Sequence, residues 1–442
     1  MRSHSSIITC LLMLAALAGC DSKGITRPPQ AVLRVVHAAP NFNSVYFMRV
    51  QREEGSLSYS QASTFTFDSD TYTFALDTDV PNSTVRERQT VYTSTLDPAL
   101  ENIVVLTSPG GTLTPLQLTA PLFDTTSSQA RAMIVNAVPG LTGVDFFVEP
   151  PGTDLSTVSP LGSADFSAAV APTELAVGTY RLSVTPTGTP GTVIFESSTF
   201  ALSGGSSVLL VFADSGAQVL TDYDLFLVGQ GSTFVPPAGQ QVAMRAINAV
   251  SDQLPRDVYV DMQFTTPVIA ALPYGVPSAY ATIPPGSTSL NLTAAGNPSA
   301  VERNHAIEVS TGGTYTTLFA GNPATGIVSQ TVLDDRRPLT GLAQIRFLHG
   351  AGLFGIIDVY LTDPGVDVSA VVPTIALFPA GMSNPLTILP GDYEITLLDQ
   401  AAGTTLAGPI AVTLEGGGYY GAMALDGASG AAVDVSLIDD FN

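Results

Sequence analysis

Lysine is almost absent from this chain. Lys23 stands alone beside fifteen arginines, and 38 acidic residues bring the net charge to −22 over 442 residues. Such an acidic balance excludes a nucleic-acid grip or a flat electrostatic hold on anionic lipid, and it suits a non-sticky extracytoplasmic surface. Cysteine is scarcer still, at two residues, Cys10 and Cys20. A disulfide framework is therefore excluded, and stability has to come from apolar cores, for which the length is ample. Tryptophan is missing and histidine occurs four times, at His4, His37, His305 and His349. Beyond the first twenty residues no apolar run is long enough to span a bilayer, and no segment sustains a 3.6-residue apolar period. These absences leave a β-rich extracytoplasmic chain with few groups able to do acid–base chemistry.

The N-terminus says where such a chain would reside. Arg2 gives a positive start, and Ile7 to Ala18 form an apolar stretch too short to cross a membrane. It ends in Leu17, Ala18, Gly19 and Cys20, which resembles the lipobox of bacterial lipoproteins. The resemblance implies a signal peptide over 1–19, cleaved before Cys20. It also implies a diacylated Cys20 opening a linker over 20–30. Acyl chains anchor a protein to the lipid bilayer without a spanning helix. The expected location is the bacterial cell envelope; Asp21 after the cysteine leaves inner against outer membrane open.

What the remainder has in abundance is repetition. "LRVVHAAP" (33–40) returns as "AMIVNAVP" (132–139), "AMRAINAV" (243–250) and "QIRFLHGA" (344–351). The polar landmarks are His37, Asn136, Asn248 and His349, separated by 99, 112 and 101 residues. Three positions before them stand Arg34, Arg245 and Arg346; copy two has Met133 there, with Arg131 two residues earlier. Nine residues after the landmark, copies two to four carry Asp145, Asp257 and Asp358, opening "DFFV", "DVYV" and "DVYL". Copy one reads "SVYF" two residues early, with Ser44 in place of the acid.

Within each copy, period-two apolar alternation and Gly/Pro/Asn/Asp punctuation every eight to twelve residues predict short strands. Copy four yields seven, starting near Gln344, Ile356, Thr374, Tyr393, Ala411, Tyr419 and Ala432. Seven strands in about 100 residues is the rhythm of an immunoglobulin-like sandwich. The fold class expected is all-β: four tandem seven-stranded β-sandwiches over 31–127, 128–234, 240–337 and 341–442. The joins "VPPAGQQ" (235–241) and "DDRRPLTG" (334–341) favour separate beads that could extend as a rod.

The openings Arg-x-x-His-Ala-x-Pro followed by Val-Asp-Val-Tyr resemble an uncharacterised domain-of-unknown-function family that occurs in tandem on bacterial lipoproteins and secreted surface proteins. The resemblance covers residues 31–442. It implies β-sandwiches on the cell envelope and brings no catalytic residues.

Candidates for chemistry are few. If His37 were a base or metal ligand, its equivalents would keep a titratable nitrogen, yet two of the four are asparagine. Histidine and asparagine share a hydrogen-bonding atom at Nδ1 or Oδ1, which suits an anchor for the loop after the strand. His305 has Glu302 and Glu308 near it in sequence but no second histidine. Nucleophile elbows and phosphate-binding glycine loops are not found, and the glycines of "GGGYYG" (416–421) read as a turn. Paired carboxylates such as Asp222/Asp224 and Asp334/Asp335 lack the cross-cleft placement a glycosidase needs. No cofactor is expected, with calcium held open at Asp68, Asp70, Asp77 and Asp79, since clustered loop oxygens suit that ion. Arg245 and Arg346 either face outward or pair with Asp257 and Asp358.

The function expected is a non-catalytic envelope lipoprotein presenting β-sandwich modules for adhesion, spacing or protein interaction. Its partners would be an envelope protein or polysaccharide, not nucleic acid. The alternative is a carbohydrate or small-ligand module using exposed aromatics, "GGGYYG" among them; an envelope enzyme stands third.

Overall fold

A computed structural model describes residues 28–81, 83–216, 219–229, 231–427 and 433–439. The signal peptide expected over 1–19, with Leu17, Ala18 and Gly19, and the expected lipidation site Cys20 lie outside the described residues. Among those described there is no α-helix, only strands and three single-turn 3-10 segments.

The first unit sets the plan. Its strands are β1 (Gln30–His37), β2 (Ser44–Arg49), β3 (Arg52–Ser58), β4 (Ala62–Asp68), β5 (Thr71–Asp79), β6 (Arg86–Thr95), β7 (Leu100–Thr107) and β8 (Thr114–Pro121). One sheet runs β4-β1-β7-β8, the other β3-β2-β5-β6. All pairings are antiparallel except β1 with β7, which is parallel. The same central parallel pair recurs at Ala130–Ala137 with Ser207–Asp214, Val242–Val250 with Thr314–Asn322, and Ala343–His349 with Tyr419–Asp426. Four apolar cores follow, each filled from two facing sheets, as Leu33 and Val35 meet Phe47, Phe74 and Leu76 in the first.

Tyrosines brace three of these units in the same manner. The hydroxyls of Tyr72, Tyr180 and Tyr393 donate to the carbonyls of Asp68, Ala176 and Leu389, four residues upstream. This is the tyrosine-corner device of sandwich domains.

Two expectations change. The first and third units have eight strands, not seven, and their parallel pair departs from the purely antiparallel immunoglobulin sheets. In the fourth unit the overlooked edge is split into Gly381–Met382 and Leu386–Ile388 around Pro385. Pieces of two and three residues are too short to carry an alternation signal.

The beads are also not separate. Val36, Ala38, Ile103 and Val105 of the first unit pack against Met133, Val135, Leu209, Val211 and Phe226 of the second. Ile247, Ala249, Leu318 and Ala320 of the third pack against Leu348, Met382, Met423 and Leu425 of the fourth. Each first strand therefore has apolar side chains on both faces, one alternate set filling the unit's own core, as Leu33 and Val35 do in the first unit, and the other set the seam, as Val36 does. The joins are bonded down as well. Along 235–241, Ser198 N–H donates to the Pro236 carbonyl and Ala238 N–H to that of Glu196. In the second join the N–H of Thr340 donates to the Asn41 carbonyl of the first unit at 3.0 Å. The joins expected to keep the beads separate are instead docked against them.

Candidate functional site

The landmark of each first strand faces its own sandwich. His37 is fully buried at the end of β1, where its Nδ1 accepts the Ala39 N–H at 3.2 Å. Asn136 Oδ1 accepts the Val138 N–H at 3.1 Å, and Asn248 Oδ1 that of Val250 at 3.2 Å. The amides then donate to the next loops, Asn136 to Leu141 and Ala164, Asn248 to Leu254 and Leu272. His349 reaches the Gly355 carbonyl through Nε2 at 2.7 Å. Burial, with the Arg337 charge second, pushes His37 down to about 3, and burial also lowers His349. His305 pairs with Thr331 Oγ1 at 3.0 Å instead of with Glu302, which holds Arg256.

The proposed arginine–aspartate contacts do not form. Arg34, Arg245 and Arg346 stand at seam-facing positions of their strands, while Asp145, Asp257 and Asp358 belong to the opposite sheet of each sandwich. Arg245 Nε donates to Thr316 Oγ1 at 2.8 Å and its guanidinium lies 5.1 Å over Tyr280. Arg346 donates to Asp334 at 2.7 Å and to the Leu333 carbonyl at the end of the preceding unit. Arg131, out of register in sequence, does the corresponding task in the second unit, reaching Glu101 and the Pro121 carbonyl of the first. Half-buried Arg34 lies near the same Glu101. The aspartates hold loop N–H groups: Asp257 those of Ala271 and Gly296, Asp145 that of Gly188, Asp358 that of Leu377. Ala271 and Leu377 have φ of 47° and 55°, a strained state that such a bond offsets.

The acidic segment of the first unit does not converge. Gln30 donates to Asp68, the Thr71 N–H to Asp70, Arg88 to Asp77 at 2.9 Å and Tyr46 to Asp79 at 2.9 Å. Among the described residues no three His, Cys, Asp or Glu gather as a metal site. The tyrosines of "GGGYYG" are not an exposed binding surface either. Tyr420 fills its own core, and Tyr419 is buried under the Arg346 guanidinium, because the strand that starts there is covered on both faces.

Two features absent from the sequence reading are formed between units. The first is a buried polar hub. The Tyr59 hydroxyl lies 2.7 Å from the Asp214 carbonyl and 2.8 Å from Asp224 Oδ2, both in the second unit. Arg337, from the join 334–341, lies 4.5 Å over the Tyr59 ring and donates to Asp335 and to Asn43 at 3.0 Å. Burial raises the Asp224 carboxyl to about 7 and lifts the Tyr59 phenol well above its usual value. The Tyr59 hydroxyl is the donor to both oxygens, a three-centre bond that ties the second unit's carbonyl and carboxyl to the first unit.

The second feature is a cleft of about 460 Å³ where the first unit meets the end of the join and the fourth unit. Ser44, Asp79 and Glu87 line one wall, Thr340, Thr387 and Leu389 the other. Its loop wall is fixed: Asn41 donates to the Pro338 carbonyl at 2.9 Å and accepts from the Ser108 hydroxyl at 2.8 Å.

No curated protein matches the chain. Residues 242–360, from the first strand of the third unit to the Asp358–Tyr360 segment of the fourth, match the model of DUF4397, a domain of unknown function, and that part of the chain is similar to this uncharacterised domain.

Proposed function

We propose that the protein is a non-catalytic envelope lipoprotein, held to the bilayer through acylated Cys20, that presents its β-sandwich units as one stiff body for adhesion or interaction with envelope proteins or polysaccharides. The observation that carries the reading is the pair of apolar seams, closed by the docked Arg337 join. Faces that a rod of beads would expose to water are spent on packing one unit against the next, which favours presentation over spacing. The buried carboxyl raised to about 7, Asp224, is occupied by Tyr59 inside a seam, so its role there is structural. Small-angle scattering on the chain from residue 21 tests the reading. A compact body of this length has a radius of gyration near about 22 Å. A rod of units each roughly 35–40 Å long has one near about 40 Å, and that value would overturn it. Pull-down against envelope proteins and polysaccharides then identifies the partner.

A small-ligand role is the second reading, and the cleft between the first and fourth units favours it. A cavity of this size is within the range of small-molecule sites.

A further inference from the structure

The cleft is where the first copy departs from the repeat. Copies two to four place an aspartate at the start of the second strand, where it ties down loop N–H groups. Copy one has a loop two residues shorter and Ser44 at that position, and Ser44 lines the cleft. The opposite wall comes from the join and from the fourth unit's edge, so the cavity depends on the docking of distant segments. Those segments are held in place before any ligand arrives, by the Asn41–Pro338, Thr340–Asn41 and Asn43–Arg337 bonds. Preorganisation of this kind lowers the ordering cost of binding.

The lining selects a chemistry. Hydroxyls of Ser44, Thr78, Thr340 and Thr387 and the Gln89 amide offer both donors and acceptors. Leu339, Leu342 and Leu389 supply apolar surface for the C–H face of a ring. Two carboxylates, Asp79 and Glu87, line it and no lysine, arginine or histidine does. Asp79 is engaged by Tyr46 and lies 3.7 Å from Arg86, whereas the Glu87 side chain makes no hydrogen bond or ion pair among the described residues. An anion would meet the unpaired charge of Glu87 here, in a chain that carries −22 overall.

We propose that this cleft binds a polyhydroxylated ligand bearing a positive charge, of the amino-sugar class, with Glu87 facing the ammonium group. The assignment rests on the small-ligand reading above. Calorimetric titration of the full chain in detergent, with glucosamine and its short oligomers, glucose and glucuronate as probes, tests it. The expected result is saturable binding of the amino sugars, weaker binding of glucose and none of glucuronate. Glu87→Gln should weaken amino-sugar binding roughly three- to fivefold, as loss of an exposed ion pair would, and leave glucose unchanged. Thr387→Trp, which fills the cleft from the fourth unit's edge, should abolish binding of all of them while the melting temperature holds. Amino-sugar binding that survives both substitutions would overturn the site and leave the small-ligand reading standing. Equal binding of glucuronate would overturn the charge assignment. No binding by any probe would remove the ligand reading and the proposal together.

Discussion

Two seams join the units in pairs, and they are built on one plan. In each, residues flanking the first partner's landmark (Val36 and Ala38; Ile247 and Ala249) meet the second partner's central strand (Val211 and Ala213; Met423 and Leu425). In each, a tyrosine crosses to the equivalent carbonyl, Tyr59 to Asp214 and Tyr274 to Asp426. They differ where the join intrudes. Asp224 and Asp434 hold matching register positions, opposite Ala213 and Leu425, yet Asp224 is buried and Asp434 is exposed. Arg337 lies at the first seam only, over Tyr59, whereas the head of its join, Asp334, is held by Arg346 of the fourth unit. Phe226 of the first seam is matched by Ser436 in the second. The repeat thus supplies the seam, and what covers it decides whether a polar position becomes a surface acid or a buried titrating group.

The largest effect should come from the apolar difference. Phe226→Ala empties a fully buried aromatic site and should cost about 3–5 kcal/mol, against about 2–4 kcal/mol for Met423→Ala in the second seam. Urea unfolding of both variants reads the difference, and a Met423→Ala loss exceeding that of Phe226→Ala would reverse the ranking. Next comes the clasp. Arg337→Met removes a nearly buried cation held by Asp335 and Asn43 and should cost about 2–4 kcal/mol. It should also expose 334–341 to protease. If the join stays resistant, Arg337 is not what holds it.

How much of this was legible in the sequence follows from where the signals are local. The strands, the all-β class and the four landmarks follow from period-two alternation and repetition, both carried on contiguous residues. The seams were also written there, in "LRVVHAAP" and "AMIVNAVP". A strand apolar at consecutive positions is a strand covered on both faces. The eighth strand was hidden because Gly381 and Pro385 break it into pieces below the length of any pattern. The hub and the cleft were not legible, because Tyr59, Asp224 and Arg337 are separated by 165 and 113 residues and meet only through docking. Nothing local marks Asp224 as different from Asp434.

The pH response of the hub sharpens the comparison further. Asp224, near 7 when folded and near 4 when unfolded, binds more protons in the native state between those values. Its contribution therefore falls as pH rises from about 4 to about 7. His37, near 3 when folded and 6.5 when unfolded, works in the opposite direction, and its contribution falls as pH drops from about 6.5 to about 3. Between about pH 4 and 6.5 the two slopes oppose one another, each on the order of 1 kcal/mol per pH unit. Asp224→Asn should leave a stability that rises with pH across this window. His37→Asn, the residue already used by copies two and three, should shift the slope in the falling direction, with His305 and His349, also lowered by burial, still opposing it. Parallel melting curves at pH 4.5 and 6.5 check both signs, and an unchanged slope in either variant would mean that its group does not titrate as described.

The smallest effect isolates the hydroxyl that both seams share. Tyr59→Phe removes the donor to the Asp214 carbonyl at 2.7 Å and the partner of Asp224, leaving buried polar groups unmatched, at a cost of about 1–3 kcal/mol. Tyr274→Phe removes a longer bond, 3.2 Å, to a carbonyl that also receives Gln253 at 3.1 Å, so about 0.5–1 kcal/mol is expected. A double-mutant cycle separates the hydroxyl from its setting. Tyr59→Phe combined with Asp224→Asn should be non-additive, since the two side chains share one proton arrangement, whereas Tyr274→Phe with Asp434→Asn should add. Additivity in both seams would mean that the docked join changes the burial of Asp224 without coupling it to Tyr59. Coupling in the first seam alone would place the difference between the two pairs in the few residues that Arg337 covers.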